Sequence, residues 1–315
     1  MLDRVIEIID GAFELPPLRE DIPQGDVPGG RIRIYENHKE KADQVFPLLL
    51  KELSALSSSG RKKAVVSIYG GSGVGKTGIA AILAYYLREN GIGSYVLSGD
   101  NYPHRIPMYN DAERIQVFRE AGVRALAREG LISEDVNREV HDLQVKELDA
   151  DPKQAEIYPW FERYFQSGRA ALSEYLGTPK EIDFEEVSSI LKAFSEGSDL
   201  IALRRMGRTD TELWYEMVDF SDVDVLIVEW THGNSDYLEG VDIPVFLNST
   251  PMETLMYRKA RSRDGKEDSC FVTMVLEIEQ GKLYDQAPKA KLIFAKNGEL
   301  LDLEGLKRVT EEGSL

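Results

Sequence analysis

Residues Gly70 to Thr77 read GGSGVGKT, an instance of G-x-x-x-x-G-K-T, and few short strings restrict a fold so tightly. Such a loop cradles phosphate only where it joins a buried strand to the first turn of a helix. Both flanks comply. Ala64-Val65-Val66-Ser67-Ile68-Tyr69 is short, apolar and β-rich, as a strand covered on both faces of a parallel sheet should be. Gly78 to Leu87 is rich in Ala and Leu and apolar nearly all round, which suits a helix buried against that sheet. The expected class is α/β, a three-layer sandwich around a mostly parallel sheet.

The residue types match the chemistry. Gly70, Gly71, Gly73 and Gly75, with Ser72 and Val74 between them, let backbone N–H groups turn inward around a polyphosphate. The helix opening at Lys76 adds its positive N-terminal end to the same anion. Lys76 is expected to reach the β- and γ-phosphates and the Thr77 hydroxyl to ligate Mg²⁺, so ATP and Mg²⁺ are the expected ligands. The competing reading, a glycine-rich turn that matches by chance, leaves the two flanks unexplained.

Composition sets the remaining bounds. A chain of 315 residues holds one large α/β domain with additions, or two ordinary domains. The formal net charge of −17 argues against nucleic acid as the main partner, because a phosphate backbone needs a basic surface. It also implies repulsion from anionic membranes. Cys270 is the single cysteine, so no internal disulfide can form and a cytoplasmic setting is the simplest expectation. Neither a signal sequence nor a bilayer-length apolar run is evident. His141 and His232 lack metal-type spacing and are read as ordinary polar positions.

Residues 1–62 read as an N-terminal extension packing on a core of 63–315. Leu2 to Ile9 is expected to form a short amphipathic helix, Arg31 to Tyr35 a strand, and His38 to Leu56 a helix with Pro47 inside it. Ser57-Ser58-Ser59-Gly60 would be the hinge into the core. Beyond the glycine loop, Ser94 to Leu97 reads as a strand running into Ser98-Gly99-Asp100-Asn101-Tyr102-Pro103-His104-Arg105. In open parallel sheets ligands gather at the carboxyl ends of strands. Asp100 is thus placed to accept a hydroxyl proton or to hold Mg²⁺ through water, with Tyr102, His104 and Arg105 beside it to meet a substrate. The bland reading is an Asx turn closing the strand. Val225 to Val228 reads as a central strand delivering Glu229 to the same edge, as a ligand of Mg²⁺ waters, a partner of a substrate hydroxyl, or an ordinary polar strand end.

These segments together resemble the uridine kinase and phosphoribulokinase group of phosphate-loop kinases. The glycine loop, Asp100 to Arg105, Ile182 to Glu186, the strand ending at Glu229, Ile243 to Asn248, the basic run Arg258 to Asp264 and Lys289 to Phe294 follow that group's order over roughly residues 63–298. Only the glycine loop is a specific motif. Trp230 stands where the group commonly has glycine, and about 130–180 is additional material. Ser98 to Asn101 with Asn110 to Arg114 is also similar to adenylylsulfate kinases. The resemblance implies γ-phosphoryl transfer from ATP to a hydroxyl of a nucleoside, sugar or related metabolite. Lys76, Asp100, Glu229, Arg261 and Arg263 would then be catalytic, Arg258 an ATP ligand, Thr77 and Glu229 the metal ligands, and 256–270 a lid. Cations on a mobile segment can neutralise a transferring phosphoryl group, although a basic helix end is also a common solvated face.

Two stretches stay ambiguous. Trp160, Phe161, Tyr164 and Phe165 share one helical face and read as core or an oligomer contact in preference to a base-stacking platform. Arg205 and Arg208, in the stretch joining a helical region at about 130–215 to the core, are candidate ligands for an acceptor phosphate or carboxylate. A nucleotide-driven switch, or a nucleotide binder without catalysis, is the reading of another class. It lacks an Asn-Lys-x-Asp or Leu-Ser-Gly-Gly string.

Overall fold

The computed structural model describes residues 4–10, 15–19, 21–27, 33–207, 212–261 and 269–312. Its centre is a six-stranded sheet. The loop-bearing strand β1 (Ala64–Gly70) is buried at every residue, as its apolar sequence demands. It pairs in parallel with β5 (Val225–Trp230) on one side and β6 (Ile243–Leu247) on the other. β2 (Ser94–Ser98) lies outside β5, and β7 (Leu292–Phe294) outside β6, both parallel. A two-residue strand, β8 (Leu300–Leu301), closes the far edge antiparallel, giving the order β2-β5-β1-β6-β7-β8. Because β5 is inserted between β1 and β2, the carboxyl ends of these three strands lie side by side.

Strand side chains alternate between the two faces. On one face Val66, Ile68, Val225, Ile227 and Val245 meet the helix α3 (Lys76–Glu89) and, behind it, α2 (Glu36–Ser58) and α1 (Arg4–Asp10). On the other, Val65, Leu226 and Val228 meet Val187, Leu191 and Phe194 of α7 (Phe184–Ser195). Further along that face Phe246 and Ile293 meet Leu283 of α9 (Cys270–Gln286) and Leu306 of α10 (Leu303–Glu312). The α/β sandwich read from the sequence is therefore the observed fold. A helical group, α4 (Pro107–Arg128), α5 (Glu134–Val145) and α6 (Phe161–Tyr175), builds a separate core with α9. Its buried centre contains Trp160, Phe161, Tyr164 and Phe165, so the aromatic run is core.

The N-terminal segment is integral to the sandwich. Ala42, Val45, Phe46 and Leu49 of α2 are buried in the same cluster as α3. The Tyr86 hydroxyl donates to Asp43 Oδ1 at 2.6 Å across the helix pair, and the Phe46 and Tyr86 rings meet edge to face at 5.3 Å. α2 continues through Pro47 to Ser58, so the expected hinge shortens to Ser59 and Gly60. The expected strand is not found: Arg33, Ile34 and Tyr35 are irregular, and residues 31 and 32 lie outside the described residues. Nor is the stretch around Arg204 a plain connector. β3 (Leu200–Met206) and β4 (Leu213–Asp219) form an antiparallel hairpin apart from the main sheet. The basic string there masks a strand, because the alternating burial of β3 stops at Leu203 and the adjacent Arg204 and Arg205 are both buried.

Phe46 is fully buried between α2 and α3. Phe46→Ala is expected to cost about 3–5 kcal/mol of unfolding free energy. Urea unfolding would show this as a lower midpoint at unchanged slope, and an unchanged midpoint would mean that α2 contributes little to the shared core.

Candidate active site

The glycine loop closes onto neighbours that leave it no slack. Gly75 takes φ +98° at the cap of α3, a conformation that other residues avoid. At Gly78 a Cβ would stand 2.3 Å from Nδ1 of His38, so glycine here lets α2 lie directly on the loop. Lys76 Nζ donates to the Gly70 and Gly71 carbonyls, both at 2.9 Å, which holds the ammonium across the loop mouth. Arg258 of α8 (Pro251–Arg261) packs on the loop from the other side. Its Cγ would be 3.0 Å from a Cβ at Gly73, and its Nη2 donates to Pro251 O at 2.9 Å.

Glu229 is the deepest charged group of the site. Its Oε2 accepts from Thr77 Oγ1 at 3.0 Å and its Oε1 from Ser98 Oγ at 2.7 Å. Register pairing puts Ser98 and Ile68 on either side of it, so the three strand ends meet at this carboxylate. Burial, and after it the neighbouring Asp100 charge, pushes the Glu229 carboxyl up to about 7 against Lys76 and the two hydroxyls. Asp100 sits just beyond β2 in the helical turn Gly99–Asn101, exposed to the cavity. Gly99 is buried against the Trp230 indole, where a Cβ would fall 2.0 Å from the ring.

A cavity of about 560 Å³ opens in front of these groups. Ser72, Asp100 and Arg258 line it on the loop side. Arg114 of α4, Glu181, Trp230, His232 and Glu279 of α9 line it as well. The Arg114 guanidinium pairs with Glu181 at 2.7 Å and with Glu279 at 3.6 Å. Burial works against its charge, but Glu181 and Glu279 outweigh burial and raise its pKa. Burial likewise raises Glu279 against the pull of Arg114. Glu181 also accepts from Gly177 N at 2.7 Å, so the triad is braced by backbone. His232 is half-buried on the cavity wall, its ring meeting that of Trp230 edge to face at 5.5 Å, and burial pulls its pKa down to about 4.

Of the residues singled out in the sequence, Ser72, Asp100 and Arg258 line the cavity, with Lys76, Thr77 and Glu229 at the phosphate loop beside it. Others lie elsewhere. Tyr102 is fully buried in the α7 side of the core. His104 is exposed with a ring nitrogen 3.0 Å from Pro179 O, and Arg105 is an exposed partner of Glu113 at 3.8 Å. Arg205 does not face the cavity: it is buried in ion pairs with Asp26 at 2.6 Å and Glu216 at 2.9 Å. Arg208 and Arg263 lie outside the described residues, and of Arg261 only the helical backbone is described. Sequence reasoning did not select Glu181, Trp230, His232 or Glu279, and treated His232 as an ordinary polar position. Arg114 had a signal in its place after Asn110 and Asp111; the two glutamates had none, since they join it only through the folded chain.

No family model matches the chain. It is 43% identical over 240 residues to the bifunctional alpha-galactosidase/sucrose kinase AgaSK of Mediterraneibacter gnavus, a match that takes in 76% of this chain and 21% of that protein. The chain therefore spans about a fifth of that relative's length. The likeness to kinases read from the sequence is borne out by that match. Among solved structures, a candidate fructose transport system kinase from Silicibacter sp. TM1040 aligns at TM-score 0.45 and 15% identity, covering 78% of this chain and 94% of that one. A possible uridine kinase from Bacillus stearothermophilus aligns at TM-score 0.39 and 18% identity, covering 81% and 98%.

His232 carries a pH signature. Its folded pKa lies below the ordinary 6.5, so its contribution to stability is complete above pH 6.5 and is lost as pH falls through about 4. On going from pH 7 to pH 5, the wild-type urea midpoint is expected to fall relative to that of His232→Gln. Parallel pH dependence in the two proteins would show that His232 takes up protons freely when folded.

Proposed function

We propose that this chain is an ATP-dependent kinase that transfers the γ-phosphoryl group to a hydroxyl of a neutral sugar. The observation that carries the sugar assignment is the charge of the acceptor wall. Asp100, Glu181 and Glu279 face the cavity, and Arg114 is already neutralised by the last two. An anionic acceptor such as a sugar phosphate or adenylylsulfate would meet carboxylates there. A polyol would instead donate its hydroxyl protons to them, with Ile115, Phe271 and Val272 of the wall offering an apolar surface. The 43% identity to a protein named as a sucrose kinase supports a sugar of that class.

In this reading the loop amides and Lys76 hold the β- and γ-phosphates, and Arg258 adds charge beside Ser72. Asp100 takes the proton of the attacking hydroxyl as its oxygen bonds to the γ-phosphorus and the bond to the β–γ bridging oxygen breaks, releasing ADP. Arg261 and Arg263 follow Arg258 in the same segment and are assigned the closing charge. The donor set suits Mg²⁺: the Thr77 hydroxyl and the Glu229 carboxylate are adjacent hard oxygens of the kind that hold this ion together with phosphates. When bound, Mg²⁺ neutralises charge on the transferring phosphates. Residues 130–215 are assigned to covering the acceptor, and the setting to the cytoplasm, where ATP is the donor. No helix among the described residues is long and apolar enough to cross a membrane.

The test is phosphoryl transfer from ATP to a panel of mono- and disaccharides, nucleosides and sugar phosphates, read by mass spectrometry. A sugar gaining one phosphoryl group is expected. ATP hydrolysis independent of any acceptor, or transfer confined to nucleosides or phosphorylated acceptors, overturns the assignment. Asp100→Asn is expected to lower kcat by roughly 10²-fold or more while ATP binding persists. Equal turnover in the two proteins would remove Asp100 from catalysis.

A further inference from the structure

The strand that delivers Asp100 is the outermost of the sheet, and a segment from far upstream runs along its free side. Gly25, at φ +76°, lies so close to Val96 that a Cβ there would stand 2.3 Å from the Val96 carbonyl oxygen. This approach sets Asp26 against the turn after β2. Asp26 Oδ1 accepts from Ser98 N at 2.6 Å, and its main-chain oxygen accepts from Asn101 Nδ2 at 2.9 Å. The Asn101 amide oxygen accepts in turn from Met206 N at 3.1 Å. Both ends of the span Ser98–Asn101 are thereby tied to one residue.

We propose that Asp26 is a positioning residue of the transfer site, holding the Ser98–Asn101 turn so that Asp100 faces the cavity and the Ser98 hydroxyl stays on Glu229. What the turn accomplishes rests on the kinase reading; the tie itself rests on the bonds just described. Ser98 is the link between the two, because its N–H is held by Asp26 while its hydroxyl donates to Glu229 Oε1 at 2.7 Å. Asp26 is not part of the cavity wall, so it acts through the turn and not by touching the ligand.

The charge of Asp26 has its own partner. Oδ2 accepts from Arg205 Nη1 at 2.6 Å, in a pair whose side chains are 3% and 9% exposed. Arg205 also donates to Glu216 and to the Tyr95 hydroxyl, so the β3–β4 hairpin and β2 are tied to the same carboxylate. Burial raises Asp26 to about 6 against the attraction of Arg205, which leaves it ionised at neutral pH. A buried ion pair of this sort is costly to break from one side and therefore rigid. Rigidity is what a proton acceptor needs, since a misplacement of about 1 Å can lower turnover by roughly 10²-fold.

Asp26→Ala and Asp26→Asn in the 315-residue chain, each checked for native circular dichroism, would be compared with wild type. The measurements are kcat and the two KM values with a sugar that wild type phosphorylates, and amide hydrogen exchange at residues 98–101 without nucleotide. Asp26→Ala is expected to lower kcat by roughly tenfold or more, to leave KM for ATP within about twofold, and to accelerate exchange at 98–101. Asp26→Asn keeps an acceptor for the Ser98 amide and is expected to recover part of kcat and of the protection. Unchanged kcat in folded Asp26→Ala, or a loss that only follows the unfolded fraction, overturns the proposal. Should Asp26→Ala not fold, Asp26→Asn decides by the same measurements, unchanged kcat and exchange counting against it. Should wild type phosphorylate no sugar, the sugar-kinase reading fails, and unaccelerated exchange at 98–101 would separately overturn the tie.

Discussion

One buried carboxylate organises this site. Glu229 is fully enclosed, and a carboxylate out of water is stable only when its oxygens accept hydrogen bonds. Thr77 and Ser98 satisfy one oxygen each. The first comes from the helix that follows the phosphate loop and the second from the end of β2, so the bonds that make burial tolerable also join the ends of β2 and β5 to the start of α3. Parallel register alone would bring these backbones level. The two hydroxyl bonds orient the side chains, and Gly99 lets the Trp230 indole fill the space beside them.

The acceptor side follows a different physical rule. Its charges are matched internally: one guanidinium stands between two carboxylates, and one of these is anchored on a backbone amide. Such a wall is rigid and presents mostly acceptor oxygens. In the proposed kinase reading it disfavours an anionic acceptor, because the guanidinium of Arg114 is already committed to Glu181 and Glu279. The helical group that contributes Arg114 has its own aromatic core and reaches the sandwich through α9. The cavity therefore lies between two independently packed bodies of side chains, a common location for a small-molecule site.

The N-terminal segment shows how far the site's supports extend from its chemistry. His38 of α2 lies on Gly78 of the phosphate-loop helix, and Asp26 holds the turn carrying Asp100. Neither residue belongs to the glycine loop or to a strand end. Covering an edge strand with an irregular segment also blocks unwanted pairing there, so one stretch of chain serves both stability and alignment.

What could be read from the sequence was local. A β-rich run, a glycine loop and an apolar helix are contiguous, and so were the strand ends at Asp100 and Glu229 and the aromatic face of α6. Each depends on periodicity or on neighbours a few residues away, which the linear chain displays directly. Arg205 shows the limit: a basic string suggested an anion ligand, yet its partner Asp26 stands 179 positions away and takes that charge into the interior. Arg114 and Glu181, 67 positions apart, carry no mutual signal until α4 folds over the loop before α7. The sequence by itself determined the α/β sandwich, the phosphate loop and the carboxylates at its edge, because hydrophobic period and backbone stereochemistry are local properties. Only the tertiary structure decided which charges face the cavity and which cancel in the interior, because ion pairing depends on distance through space and not on order along the chain.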